Sequence, residues 1–130
     1  MKRLKTIGLW ALQFVLTFMF FQVGRMKFTV PRWEQTFREA GYPDHFYQVV
    51  GAVELLGGLS LLVPPAASYG ASAVMVIMVG AFVHHLRRAE WSNAPVPVVL
   101  FLLLAIVAYA RRPAFLRKRP RAAPGSLPTA

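Results

Sequence analysis

Cysteine is absent from the 130 residues, which removes disulfides, thiol redox chemistry, iron–sulfur clusters and thiolate metal sites from consideration. Acidic residues are nearly as scarce: five Asp and Glu stand against 15 Lys and Arg, a formal charge of +10 at pH 7. Such basicity points to nucleic acid only where a soluble fold presents it as a patch. Here most Lys and Arg sit at the two ends of the chain and beside apolar runs, where they act as topology signals. Nucleic acid is therefore not among the expected partners.

What the chain has in abundance is apolar surface. Its composition is 56% hydrophobic with mean hydropathy +0.47, more than a soluble domain of this size carries. The length allows one domain, read as a membrane domain over residues 1–113. A basic tail over 114–130 follows, rich in Arg, Lys, Pro, Ala and Gly and without helical or strand periodicity. That tail is expected to be disordered and to touch anionic lipid headgroups, at about 1 kcal/mol per basic residue near the surface.

Four apolar runs, about 7–27, 46–63, 69–86 and 95–110, are read as membrane helices. The first follows Met1-Lys2-Arg3-Leu4-Lys5 and ends in Gln22-Val23-Gly24-Arg25-Met26-Lys27. It lacks a small-residue cleavage site, so it is expected to be a retained span. Residues 29–46 are polar enough to leave the membrane, yet Trp33, Phe37 and Ala40 line one edge of a short helix, with Pro31 in its first turn and Gly41 capping its end. An interfacial helix anchored by Trp33 is the first reading, and a lid over a cavity the second. Asp44 is the expected N-cap of the next span. The short, uncharged connection Pro64-Pro65-Ala66-Ala67-Ser68 makes the second and third spans an antiparallel hairpin.

The expected fold class is therefore all-α, a four-span antiparallel transmembrane helix bundle with a short interfacial helix after the first span. Both termini then share one side, with nine cations (Lys2, Arg3, Lys5, Arg111, Arg112, Arg117, Lys118, Arg119, Arg121) against six on the other (Arg25, Lys27, Arg32, Arg38, Arg87, Arg88). This asymmetry places the termini in the cytoplasm and the chain in the cytoplasmic (inner) membrane.

One acid falls inside an apolar run. Glu54 sits in Gly51-Ala52-Val53-Glu54-Leu55-Leu56-Gly57-Gly58, where a charge costs about 2.5 to 3.5 kcal/mol on insertion scales. Gly51 and Gly58 share its helix face and let a neighbouring helix approach closely. On the first span Gln13, Thr17, Gly24 and Lys27 form one weakly polar stripe within an arc of about 80° at 100° per residue. Lys27 ends that stripe and is the expected counter-charge of Glu54, with Gln13 and Thr17 as hydrogen-bond donors from deeper positions. Gly80 shares a stripe with Ala73, Ile77 and His84 on the third span and is expected to pack against a neighbour. Arg25, His84 and His85 are possible accessories. Adjacent histidines on a helix diverge by about 100°, so no metal site is expected there.

These features together resemble the DoxX-like family of small four-helix membrane proteins. The likeness rests on Gly24-x-x-Lys27, Phe37-Arg38-Glu39-Ala40-Gly41-Tyr42-Pro43, Gly51-x-x-Glu54-Leu55, Leu61-Leu62-Val63-Pro64 and Gly80, in that order over about residues 7–113. The resemblance implies an integral membrane four-helix fold and little about activity. Some relatives are subunits of a thiosulfate:quinone oxidoreductase, and others look like membrane partners in redox-stress complexes.

Two functional readings stay open at this point. In the first, the chain is a non-enzymatic component of a membrane-associated complex, a redox or stress-related one among the options, without a cofactor and with the Glu54–Lys27 site as an internal lock or small-ligand pocket. In the second it is a quinone- or small-ligand-binding subunit of a membrane oxidoreductase, with Trp10, Phe14, Phe18, Gln13 and Lys27 supplying the slot. The partners implied are the lipid bilayer, another membrane or periplasmic protein, and a second copy of the chain.

Overall fold

The computed structural model describes residues 2–116. Within them the chain forms five α-helices, α1 (Lys2–Thr29), α2 (Pro31–Glu39), α3 (Phe46–Ser60), α4 (Pro64–Arg87) and α5 (Pro95–Ala110), and a 3-10 turn at Ala114–Leu116. No strand occurs among the described residues. The expected basic tail falls outside them from residue 117 onward.

Proline sets two of the helix starts. Val30 and Val63 are extended (φ −107°, ψ 113° and φ −108°, ψ 103°), as the ring of a following proline requires, and Pro31 and Pro64 then open α2 and α4. This corrects the expected second connection. Pro64-Pro65-Ala66-Ala67-Ser68 is the first turn of α4, where proline loses no helical hydrogen bond, and the link itself is only residues 61–63.

The end of α2 follows its sequence closely. Gly41 is left-handed (φ 87°); its N–H donates to Arg38 O, and that of Tyr42 donates to Phe37 O, both at 3.1 Å. The Tyr42 and Phe37 rings close the motif at 5.3 Å, the hydrophobic contact that accompanies a Schellman cap. The start of α3 departs from expectation. Its N-cap is His45, left-handed at φ 68° and without a side-chain cap, because Asp44 is taken up in the turn closed by Phe46 N–H on Pro43 O.

Each of α1, α3, α4 and α5 packs antiparallel to the next in that order. Ser68 Oγ on Ala108 O (3.0 Å) fixes the level of α4 against α5. The seam that brings α5 back to α1 is sparse by comparison, while α2 lies lightly across the α1 and α3 ends. Leu16, Phe20, Leu61, Val74, Leu104 and Val107 fill the core between them.

The helices are unequal in length. By length and composition, α1 and α4 are long and apolar enough to cross a membrane, whereas α3 and α5 have 15 and 16 residues, below the roughly 20 that span a bilayer without help from their flanks. Gln13 lies level with Leu61, so residues 2–12 of α1 project past the end of α3 by about 16 Å.

Candidate functional site

The buried face of α1 carries Gln13, Leu16, Thr17, Phe20, Gly24 and Lys27, so the polar stripe read from the sequence does turn inward. At its end, Lys27 Nζ donates to Glu54 Oε2 at 2.7 Å, with the two side chains 4% and 3% exposed. Antiparallel packing explains why they meet. A Cα–Cβ bond tilts toward the start of its own helix, so Lys27 reaches back along α1 while Glu54 reaches back along α3, and the two reaches point at each other. Trp33 of α2 covers the pair from outside, its ring centroid 4.5 Å from Lys27 Nζ.

Two glycines bring the backbones close enough for this. A Cβ on Gly24 would stand 2.9 Å from Gly51 O, and one on Gly51 would stand 2.9 Å from Lys27 Cβ and 3.1 Å from Gly24 O. Gly58 presses on Phe20 in the same seam, where an added Cβ would lie 3.0 Å from Phe20 Cβ. The repeated Gly-x-x-charge spacing on α1 and α3 is thus one device seen from two sides, with glycine admitting the backbone and the charge pairing one turn on.

Gln13 and Thr17 are buried but are not brought to Glu54. Thr17 Oγ1 donates to Gly58 O at 2.8 Å and Gln13 Nε2 to Leu61 O at 2.5 Å. Both oxygens are at the end of α3, where helical carbonyls lack intrahelical donors, so the first span caps the second. Gln13 Oε1 in turn accepts from Arg111 Nε at 3.1 Å, which ties α5 to the same point. Arg25 is exposed and bonded to Gln22, leaving Lys27 as the partner of Glu54.

Gly80 does not pack against a helix: an added Cβ would meet nothing within 4 Å. The buried face of α4 is Ala67, Ser68, Gly70, Ala71, Val74 and Met78. The close approach between α3 and α4 is made by Gly57 and Gly70, and a Cβ on Gly70 would stand 2.9 Å from Gly57 O. Sequence reasoning passed over these two, although the Gly57-Gly58 doublet offered the signal. Adjacent helical residues diverge by about 100°, so one glycine admits α4 and the other α1.

The two histidines at the end of α4 go separate ways. His85 Nδ1 lies 2.7 Å from Glu90 Oε2, whereas the His84 ring faces Tyr42 at 6.4 Å. The hydrogen bond from His85, followed by the charges of His85 and Arg88, holds the Glu90 carboxyl below its usual range. No group of three or more metal-ligating side chains occurs among the described residues. The residues named for a quinone slot are spread apart. Phe14 and Phe18 are exposed on the outside of α1, while Gln13 and Lys27 are buried and already bonded.

A profile of the DoxX-like family matches residues 11–107, an interval that contains the whole Lys27–Glu54 seam. The chain belongs to the DoxX-like family. No curated protein and no solved structure gave a significant match. For this DoxX-like chain, the family together with the apolar α1 and α4 points to a membrane protein.

Proposed function

We propose that the protein is a four-span bundle in the cytoplasmic membrane, with both termini cytoplasmic, and that it serves as a non-enzymatic component of a membrane-associated complex. The observation that carries this reading is an inversion of polarity. Gln13, Thr17, Lys27, Glu54 and Ser68 are buried, while all four long helices expose large apolar side chains, among them Phe18, Leu56, Val76 and Leu102. Soluble monomers rarely expose contiguous apolar faces on this scale. The exposed apolar faces of α3 and α5 support counting them as spans, shortened at their ends and completed by flanking residues or a locally thinner bilayer.

Within that bundle the Lys27–Glu54 pair is a lock between α1 and α3. Glycine contacts and Trp33 close over it, and two surface pockets, around Glu34, Arg38 and Tyr47, lie beyond it on α2 and the α2–α3 turn. In lipid, where apolar burial gives little drive for helix association, close backbone approach and an internal polar pair carry the packing. The quinone-binding alternative has less support, since its aromatic and polar residues do not line one space.

A double-substitution cycle in detergent tests the lock. Glu54→Gln lowers thermal stability, and adding Lys27→Met restores part of it; strict additivity would count against a direct pair. A quinone-like molecule that co-purifies with wild type and is lost from Glu54→Ala would instead favour the pocket reading. Orientation is read by single cysteines in this cysteine-free chain: Ser92→Cys reacts with an impermeant thiol reagent in intact cells and Thr6→Cys does not. The reverse pattern would invert the topology.

A further inference from the structure

Arg111, at the end of α5, is the one place among the described residues where a buried side-chain donor is left over. Its Nε donates to Gln13 Oε1 at 3.1 Å, its guanidinium carbon lies 4.9 Å from the Trp10 ring centroid, and its Nη2 is buried without a hydrogen-bond partner. A buried guanidinium donor without an acceptor costs more than a neutral one, so the position calls for a partner of opposite charge.

The chain has no side-chain carboxylate to offer. Its five acids are Glu34, Glu39, Asp44, Glu54 and Glu90. Four of them lie on α2 or in the loops at the far end of the helices, and Glu54 is held by Lys27. The end that carries Arg111 holds instead Lys2, Arg3 and Lys5 at the start of α1. No acidic side chain of the protein is therefore at hand to pair with Arg111.

The seam itself is loosely packed. Contacts between α1 and α5 are sparse, so a small separation of the two helices exposes the Nη1–Nη2 edge, the edge not used by Gln13. Trp10 holds the plane of the guanidinium from one face and Gln13 fixes its inner edge, so the free edge is pre-oriented. A guanidinium edge matches two oxygens of a phosphate group, and such bidentate contacts are among the stronger hydrogen bonds in proteins.

We propose that the α1–α5 seam is a phosphate-binding site in which Arg111 pairs with the anion while Trp10 and Gln13 position it. The ligand class is a phosphate group, either in the headgroup of an anionic lipid lying along the seam or as free inorganic phosphate. This site is distinct from the Lys27–Glu54 lock, and its free-phosphate form does not need the bundle to span a membrane.

The test uses the full chain in a neutral detergent with two probes, phosphatidylglycerol and inorganic phosphate, read by native mass spectrometry and thermal unfolding. Wild type retains phosphatidylglycerol or is stabilised by inorganic phosphate, and the probe that acts names the source. Arg111→Gln weakens the response about tenfold, the loss of one charge-assisted contact, whereas Arg25→Gln, at an exposed arginine of α1, leaves it unchanged. Should Arg111→Gln not fold, Trp10→Leu keeps the charge, removes the ring and lowers the response several-fold. Equal responses in wild type and the folded variant, or no response of wild type to either probe, would overturn the proposal.

Discussion

Helix α1 is bound to its two neighbours in opposite ways. Against α3 it is closed: Gly24 and Gly51 put backbone on backbone, and the one acid in the interior meets the one lysine beside it at 2.7 Å. Against α5 contact is sparse, and the arginine that reaches across finds a glutamine and an indole but no carboxylate. The lesson is about charge balance. Where both partners of an ion pair come from the chain, the helices can seal around it; where only the cation does, the seam stays loose enough to take the anion from elsewhere.

The largest effect should come from breaking the closed seam. Glu54→Gln leaves Lys27 buried without its counter-charge, at a cost of about 3 to 5 kcal/mol, while replacing both partners by apolar residues of similar volume brings stability back near wild type. Thermal unfolding of both variants in detergent measures this. A Glu54→Gln protein as stable as wild type would place the α1–α3 seam on a par with the α1–α5 seam and remove the contrast.

Next come the glycines, which separate close approach from mere occurrence. Gly51→Ala introduces a methyl 2.9 Å from Lys27 Cβ and costs about 1 to 3 kcal/mol by overpacking. Gly80→Ala meets nothing within 4 Å and stabilises by up to about 1 kcal/mol through helix propensity alone. Opposite signs in the two melting shifts are the expected outcome. Equal signs would show that the α1–α3 contact yields more readily than its geometry requires.

The smallest effect lies outside both seams and calibrates them. Ala89 ends α4 at φ 55°, in a Schellman cap formed by Glu90 N–H on His85 O and Ala89 N–H on Leu86 O. The left-handed region costs a non-glycine residue about 1 to 2 kcal/mol, so Ala89→Gly should stabilise by about 1 kcal/mol. Glu90, whose pKa is lowered mainly by the His85 hydrogen bond, adds stability that is full above its usual value of 4.5 and is lost as pH falls through its lower folded value. Amide exchange at the end of α4 followed toward acid pH should show that loss in wild type and not in Glu90→Gln.

Much of this was legible in advance because it depends on local spacing. The inward stripe of α1 and the Gly41 cap follow from spacing on one helix face and from a single backbone requirement, and the Lys27–Glu54 pairing from there being one acid inside an apolar run and one lysine ending that stripe. The bonds of Gln13 and Thr17 were not legible, because they end on main-chain carbonyls of α3, which carry no residue-type signal. Gly80 misled for a related reason. A glycine in a helix reads the same whether a neighbour presses on it or not, and the neighbours here chose Gly57 and Gly70.

By itself, then, the sequence determined the helical class, the family, the scarcity of acids and the pair of opposite charges that had to meet. Those follow from composition and from the period of the helix. Tertiary structure alone decided which backbone each glycine admits, that Gln13 of α1 joins the ends of α3 and α5, and that Arg111 is left with an unanswered donor. These depend on the level at which one helix lies against another, which is set by packing among residues far apart in the chain.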